Sequence, residues 1–303
     1  MIELIKDNYL RGTGHGNSWV VEIDPPKRKV KSYFEETLIA AEYMYENKNG
    51  NLFLLYSGGL DSQYVFNIFC YLGLPFTPVI IRLTNKSKTV DYNYHETQYA
   101  YAFCKEKNIT PKTIWFDYDT FVDSGEIIEI AETICCGSFH LPATMKVAKM
   151  LEEFVVFGND PPYMKCNNNV WQLEETEKIH SILNYFKHYN VPGCPFLLSF
   201  TPELMLSFLL DPTMVNLANG QFPGRLGTNS TKVHVFNNGS GFNMPNYDFV
   251  NKTRIKSTGY EFVNEQFKIQ HPNLFKFIEL ENKWNGMWYE DYHTIVPKLS
   301  IYQ

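Results

Sequence analysis

The 303-residue chain reads as an α/β protein on a parallel, doubly wound sheet, with an N-terminal strand–helix extension and a mainly helical C-terminal region. Three observations predict this. Apolar, strand-like runs at 52–56, 77–83, 113–116 and 154–157 alternate with helical patterns, as βαβ units do. A small glycine-paired loop, Ser57-Gly58-Gly59-Leu60-Asp61-Ser62, joins the first of these strands directly to a helix. Right-handed crossovers then bring this loop, the end of the second strand near Arg82, and Gly158 to Asp160 onto one edge of the sheet.

In chain order, residues 18–23 read as a strand stopped by Asp24-Pro25-Pro26. Residues 31–48 follow as an amphipathic helix carrying Phe34, Leu38, Ala41 and Tyr45 on one face and closed by Asn49-Gly50. The strand and loop at 52–62 lead into a helix at 63–72. The second strand, 77–83, is β-branched and bounded by Pro75 and Asn85. A helix at 92–107, the third strand, helices at 125–134 and 142–153, and the fourth strand complete the alternation. Gly158-Asn159-Asp160-Pro161-Pro162 ends it. Beyond Tyr163 helical patterns cover 174–189 and 201–210. Residues 221–246, rich in Gly, Asn and Pro, read as a long loop with a short strand at 232–236. Loops of that length are usually functional. The resulting division is an extension at 1–50, a core at 51–165, and a substrate or lid region at 166–303.

Composition narrows the class. Hydrophobic residues make up 44% and charged residues 20%, with a net charge of -6 and a pI near 5.8. That balance supports a sizeable core and argues against a dominant nucleic-acid footprint, while a local basic patch stays open. No apolar run reaches membrane-spanning length, and Met1-Ile2-Glu3-Leu4 lacks a signal-peptide pattern, so the expectation is a soluble cytoplasmic protein. The six cysteines, at 70, 104, 135, 136, 166 and 194, form no CxxC pair and read as buried hydrophobes. Cys136 and His140 put a thiol near an imidazole, and His140 stands before a helix where it could face a substrate. Gly12 to Asn17 is glycine-rich but reads as a turn.

A loop of this kind is suited to phosphate. Glycines let the backbone turn tightly and approach an anion. First-turn N–H groups and the positive end of the helix dipole favour negative charge, and Ser57 and Ser62 add hydroxyl donors. The loop is not a Walker sequence, because it has no lysine and contains an acid, Asp61.

The stretch SGGLDS at 57–62 resembles the pyrophosphate loop of the N-type ATP pyrophosphatases, the PP-loop group. The group includes the synthetase domain of asparagine synthetase, argininosuccinate, GMP and NAD synthetases, and several tRNA-modifying ligases. Residues 247–261, YDFVNKTRIKSTGYE, resemble the late basic segment of the asparagine synthetase type, and Phe200 to Leu204 resembles a helix start there. The resemblance implies an adenine nucleotide alpha hydrolase-like fold, with ATP cut between the α and β phosphates. It implies phosphate contacts from Ser57, Gly58, Gly59, Leu60, Asp61, Ser62 and Gly158, and main-chain contacts to adenine around Arg82 and Leu83. Mg²⁺ would be held by Asp61 and Asp160, since it takes one or two carboxylates besides phosphate oxygens. Arg254 and Lys256, ahead of Lys252, would reach the pyrophosphate, which makes them and Asp61 the expected catalytic groups.

The departures matter as well. Position 2 is Ile2 rather than a nucleophilic cysteine, and about 50 residues precede the loop, too few for a glutaminase domain. The expected partners are therefore a small-molecule acceptor, such as an amino acid, and ammonia, an amine or a separate glutaminase as nitrogen source. No membrane partner is expected. Two other readings keep the ATP site: a nucleobase- or tRNA-modifying enzyme, and a non-catalytic adenine-nucleotide sensor.

Overall fold

The computed structural model describes residues 26–134, 136, 140–159, 161, 163–167, 170–175, 177–221, 229–244, 269 and 288–291. The chain enters through α1 (Tyr33–Asn47), which opens on a capping box between Ser32 and Glu35. Then follow β1 (Leu52–Leu55), α2 (Leu60–Tyr71), β2 (Thr77–Thr84), α3 (Tyr94–Glu106) and β3 (Lys112–Asp117). Three helices come next, α4 (Tyr118–Asp123), α5 (Glu126–Ile134) and α6 (Leu141–Met150), before β4 (Phe154–Phe157). A hairpin, β5 (Tyr163–Asn167) and β6 (Val170–Glu175), precedes α7 (Glu177–Tyr189) and the two-residue β7 (Gly193–Cys194). A 3₁₀ turn (Leu197–Ser199) then leads to α8 (Pro202–Leu209), α9 (Pro212–Ala218), α10 (Asn229–Asn237) and β8 (Trp288–Asp291).

The central sheet is all parallel, in the order β3-β2-β1-β4-β7. Its strands are apolar on both faces because both faces are covered. Leu52 and Leu54 of β1 join one core with residues of α1, α2, α3, α8, α9 and α10, whereas Phe53 and Leu55 join a second core with α4, α5, α6 and α7. The period of two in the strand becomes two separate hydrophobic layers. This is the doubly wound α/β architecture expected from the alternation.

Strand order reverses at β1. The chain runs outward from β1 through β2 to β3, then crosses to place β4 on the other flank of β1. In such sheets the crevice at the carboxyl ends of the two strands flanking the reversal is where ligands bind. It lies here between the loops leaving β1 and β4.

Some elements were not apparent in the sequence. The fifth parallel strand is only Gly193–Cys194, paired to Val155 and Val156. A separate three-stranded antiparallel sheet, β5-β6-β8, lies beyond β4. The expected strand at 232–236 is corrected to a helix: Val233, Val235 and Phe236 are β-formers, but they are buried in the layer shared with α1 and α2. Tertiary packing overrides local propensity there. The expected strand at 18–23 and the glycine-rich turn at 12–17 lie outside the described residues. Among the described residues no helix is long and apolar enough to cross a membrane.

Candidate functional site

The loop between β1 and α2 closes on itself through its own polar groups. The Gly59 N–H donates to Ser57 Oγ at 3.1 Å, Ser62 Oγ donates to the Gly59 carbonyl at 3.1 Å, and the two serine hydroxyls are 3.1 Å apart. Gly58 has a φ of 76°, and a Cβ there would stand 2.9 Å from the Ala100 backbone nitrogen, so glycine is required twice over. Leu60 is buried in the core, so only its backbone is available to a ligand.

The loop leaving β4 meets this one backbone to backbone. A Cβ on Gly158 would lie 2.5 Å from Ser62 Cα and 2.8 Å from Ser62 N. The first turn of α2 therefore rests directly on the end of β4. Asn159 fixes the other side of that loop by donating from Nδ2 to the Pro195 carbonyl at 2.8 Å.

Asp61 has a partner that the sequence did not suggest. Lys232 of α10 reaches it with Nζ 3.2 Å from Oδ1 and 3.1 Å from Oδ2. The lysine side chain is 5% exposed and the aspartate 18%. A lysine taken so far out of water is stabilised as a cation by an anion close by. Nothing local in the sequence marks Lys232; its role comes from α10 packing on α2.

A cavity of about 150 Å³ opens beside the loop at the strand reversal. Its floor is apolar, from Leu55, Val79, Ile81 and Phe157, and Ser57, Ser62 and Gly158 stand at one end. Asp61 and Lys232 are not in its wall; they sit next to it on the α10 side of the loop. The first turns of three helices face the cavity: Ser62 of α2, Glu96 and Thr97 of α3, and Leu141 and Thr144 of α6. The N-cap residues of these helices, Gly59, Asn93 and His140, give no side-chain capping bond. By contrast α1, α4, α8 and α9 are capped by Ser32, Asp117, Thr201 and Asp211. Three dipole ends without a side-chain cap thus converge on one cavity, an arrangement that favours an anion.

The site residues expected from the sequence separate into three groups. Ser57, Gly58, Gly59, Leu60, Asp61, Ser62 and Gly158 are brought together, and His140, buried, lines the same cavity. Leu83 lines it too, but its N–H is already bonded to Asn93. The Arg82 side chain is not brought to the cavity. It pairs with Asp91 and lies 4.6 Å from the Trp115 ring centroid and 5.7 Å from that of Tyr94. Asp160, Lys252, Arg254 and Lys256 lie outside the described residues, as do Cys135 and residues 137–139. Lys232 and Asn93 are the additions. Among the described residues no group of three or more His, Cys, Asp or Glu side chains could hold a metal by itself. An ion held mainly by a nucleotide's phosphates does not need one.

No protein-family model matches the chain, and no curated protein matches it. Among solved structures it is similar to NMN synthetase from Francisella tularensis, at 13% identity and a TM-score of 0.30, over 72% of this chain and 98% of that one. A likeness at that level decides nothing about activity.

Proposed function

We propose that the chain is an ATP-using enzyme of the PP-loop kind, which transfers AMP to an acceptor oxygen and releases pyrophosphate. The observation that carries this is the loop itself. A glycine-paired, serine-bearing turn at the strand reversal carries an acid, Asp61, that is ion-paired to a buried lysine, Lys232. Around it stand three helix N-termini without side-chain caps.

The cavity takes the base on its apolar floor, and the ribose and phosphates lead out over Ser57 to Ser62. A carboxylate or amide oxygen of the acceptor attacks the α-phosphorus. The new P–O bond forms as the bond from the α-phosphorus to the α–β bridging oxygen breaks, and its electron pair leaves on that oxygen with pyrophosphate. Donors already aimed at the growing charge need no reorganisation at that moment. Lys232 supplies a cation beside the loop, the role the basic segment at 252–256 was expected to fill. Its pairing with Asp61 keeps it there when no phosphate is bound. Asp61 is the loop carboxylate able to hold Mg²⁺ together with phosphate oxygens, and that ion would neutralise charge on the leaving group. An amine or ammonia then attacks the acyl carbon, and AMP departs.

The test is incubation with α-labelled ATP, Mg²⁺ and a pool of amino-acid acceptors with ammonia. AMP and pyrophosphate are expected. ADP and phosphate would overturn α–β cleavage, and tight ATP binding with no turnover would favour a nucleotide sensor. Asp61→Asn lowers turnover by about 100-fold or more while leaving the circular dichroism spectrum unchanged.

A further inference from the structure

Asn93 occupies the stretch of strand edge that a base would use. The last partner of β1 on β2 is Val79, so β2 continues past it with no β1 neighbour. Along that continuation the Leu83 N–H donates to Asn93 Oδ1, and Asn93 Nδ2 donates to the Ile81 carbonyl, both at 2.9 Å. Ile81, Leu83 and Asn93 all line the cavity. One carboxamide therefore satisfies an acceptor and a donor on the same strand edge. The Watson–Crick edge of adenine offers the same pair, with N6–H as donor and N1 as acceptor. Cytosine also carries the pair; hypoxanthine carries its inverse.

The cavity, at about 150 Å³, is on the order of the size that holds one flat ring. With the carboxamide in place, the floor is open but the strand edge is taken. Asn93 also stands at the start of a helix. It is the N-cap residue of α3, and its carbonyl accepts from the Glu96 and Thr97 N–H groups, both at 3.2 Å. Asparagine is among the best N-capping side chains, yet this one makes no capping bond. Rotation of the side chain off β2 would free the strand edge, and the carboxamide would take new partners at the start of α3 or in water. The neighbouring return segment would not have to move, because the Tyr92 N–H keeps the Leu83 carbonyl at 2.8 Å.

Building on the adenine-nucleotide reading of this cavity, we propose that Asn93 is an internal stand-in for the base, displaced when adenine binds to the Ile81 and Leu83 backbone. Displacement lowers the apparent affinity by the fraction of molecules in which the edge is open. Removing the carboxamide therefore strengthens binding. A residue that read the base directly would give the opposite sign.

The experiment is calorimetric titration of the wild type, Asn93→Ala and Asn93→Ser with AMP and with IMP. Serine is too short to bridge Ile81 and Leu83 but is a favoured N-cap residue, so it covers the case in which alanine destabilises the helix. Both variants are expected to bind AMP roughly 5- to 20-fold more tightly, the equivalent of one or two net hydrogen bonds, with no gain for IMP. Unchanged or weaker AMP binding in both variants overturns displacement while leaving the nucleotide site standing. An equal gain for AMP and IMP overturns base recognition by the strand edge. If no protein binds AMP or ATP, the nucleotide reading and this inference fall together.

Discussion

The two edges of the central sheet join β1 to β4 in opposite ways. At the amino edge the link is polar and at the surface: the Asn51 N–H and side-chain amide donate to Glu153 at 2.9 and 3.0 Å, and the Phe154 N–H donates to the Asn51 carbonyl at 3.2 Å. At the carboxyl edge the link is bare backbone, Gly158 against Ser62, beside a buried ion pair and three helix starts lacking side-chain caps. The amino edge satisfies its groups with replaceable side chains. The carboxyl edge forgoes side-chain caps and keeps backbone and charge beside the cavity, a pattern typical of places where function competes with stability.

Substitution at Gly158 tests that contrast most severely. In Gly158→Ala the added carbon meets backbone rather than a flexible side chain end, so α2 or the β4 loop must shift. We expect a loss of about 3 kcal/mol, the upper end for overpacking, in chemical denaturation. Nucleotide binding should fall with it. A stable variant with normal binding would show that the two loops are not in fixed contact.

The ion pair comes next. Lys232→Met leaves Asp61 without its buried cation and should cost about 2–3 kcal/mol, below the range for a fully buried pair because the acid is 18% exposed. In Asp61→Asn/Lys232→Met no charge is left unpaired, and stability should largely return. Turnover should be lost in both variants. Losses in Lys232→Met and in Asp61→Asn that simply add up in the double variant would mean that the two groups are not energetically coupled.

Legibility in the sequence followed the range of the signal. The apolar runs of β1, β2 and β4 and the loop at 57–62 carry their information locally, and the chain forms them where local rules put them. The two residues of β7 are too few for any period; they form a strand because Val155 and Val156 are there to pair with. Residues 232–236 have the composition of a strand and become part of α10, since burial on α2 decides their state. Lys232 was hidden for the same reason: its partner is 171 positions away. Asn93 shows the intermediate case. Its place before a helix could be read as a cap, but its use on a strand edge depends on β1 ending two residues short.

The smallest effect belongs to the amino edge. Bonds from the Asn51 side chain and backbone hold the Glu153 carboxyl below its usual range, with Lys112 and Lys48 adding to the shift. A carboxylate with a lowered folded-state pKa contributes stability that is present above its unfolded value and is lost as the pH falls through the folded one. Glu153→Gln should therefore lower Tm at pH 7 only slightly, on the order of 1–2 °C, because the group lies at the surface and glutamine still accepts one bond. The gap between variant and wild type should close as the pH drops below the ordinary carboxylate range. Nucleotide binding should not change, because this link is on the edge away from the cavity. A gap that persists in acid would show that packing at this edge matters more than charge, and a change in binding would show that the two edges of the sheet are coupled through β1.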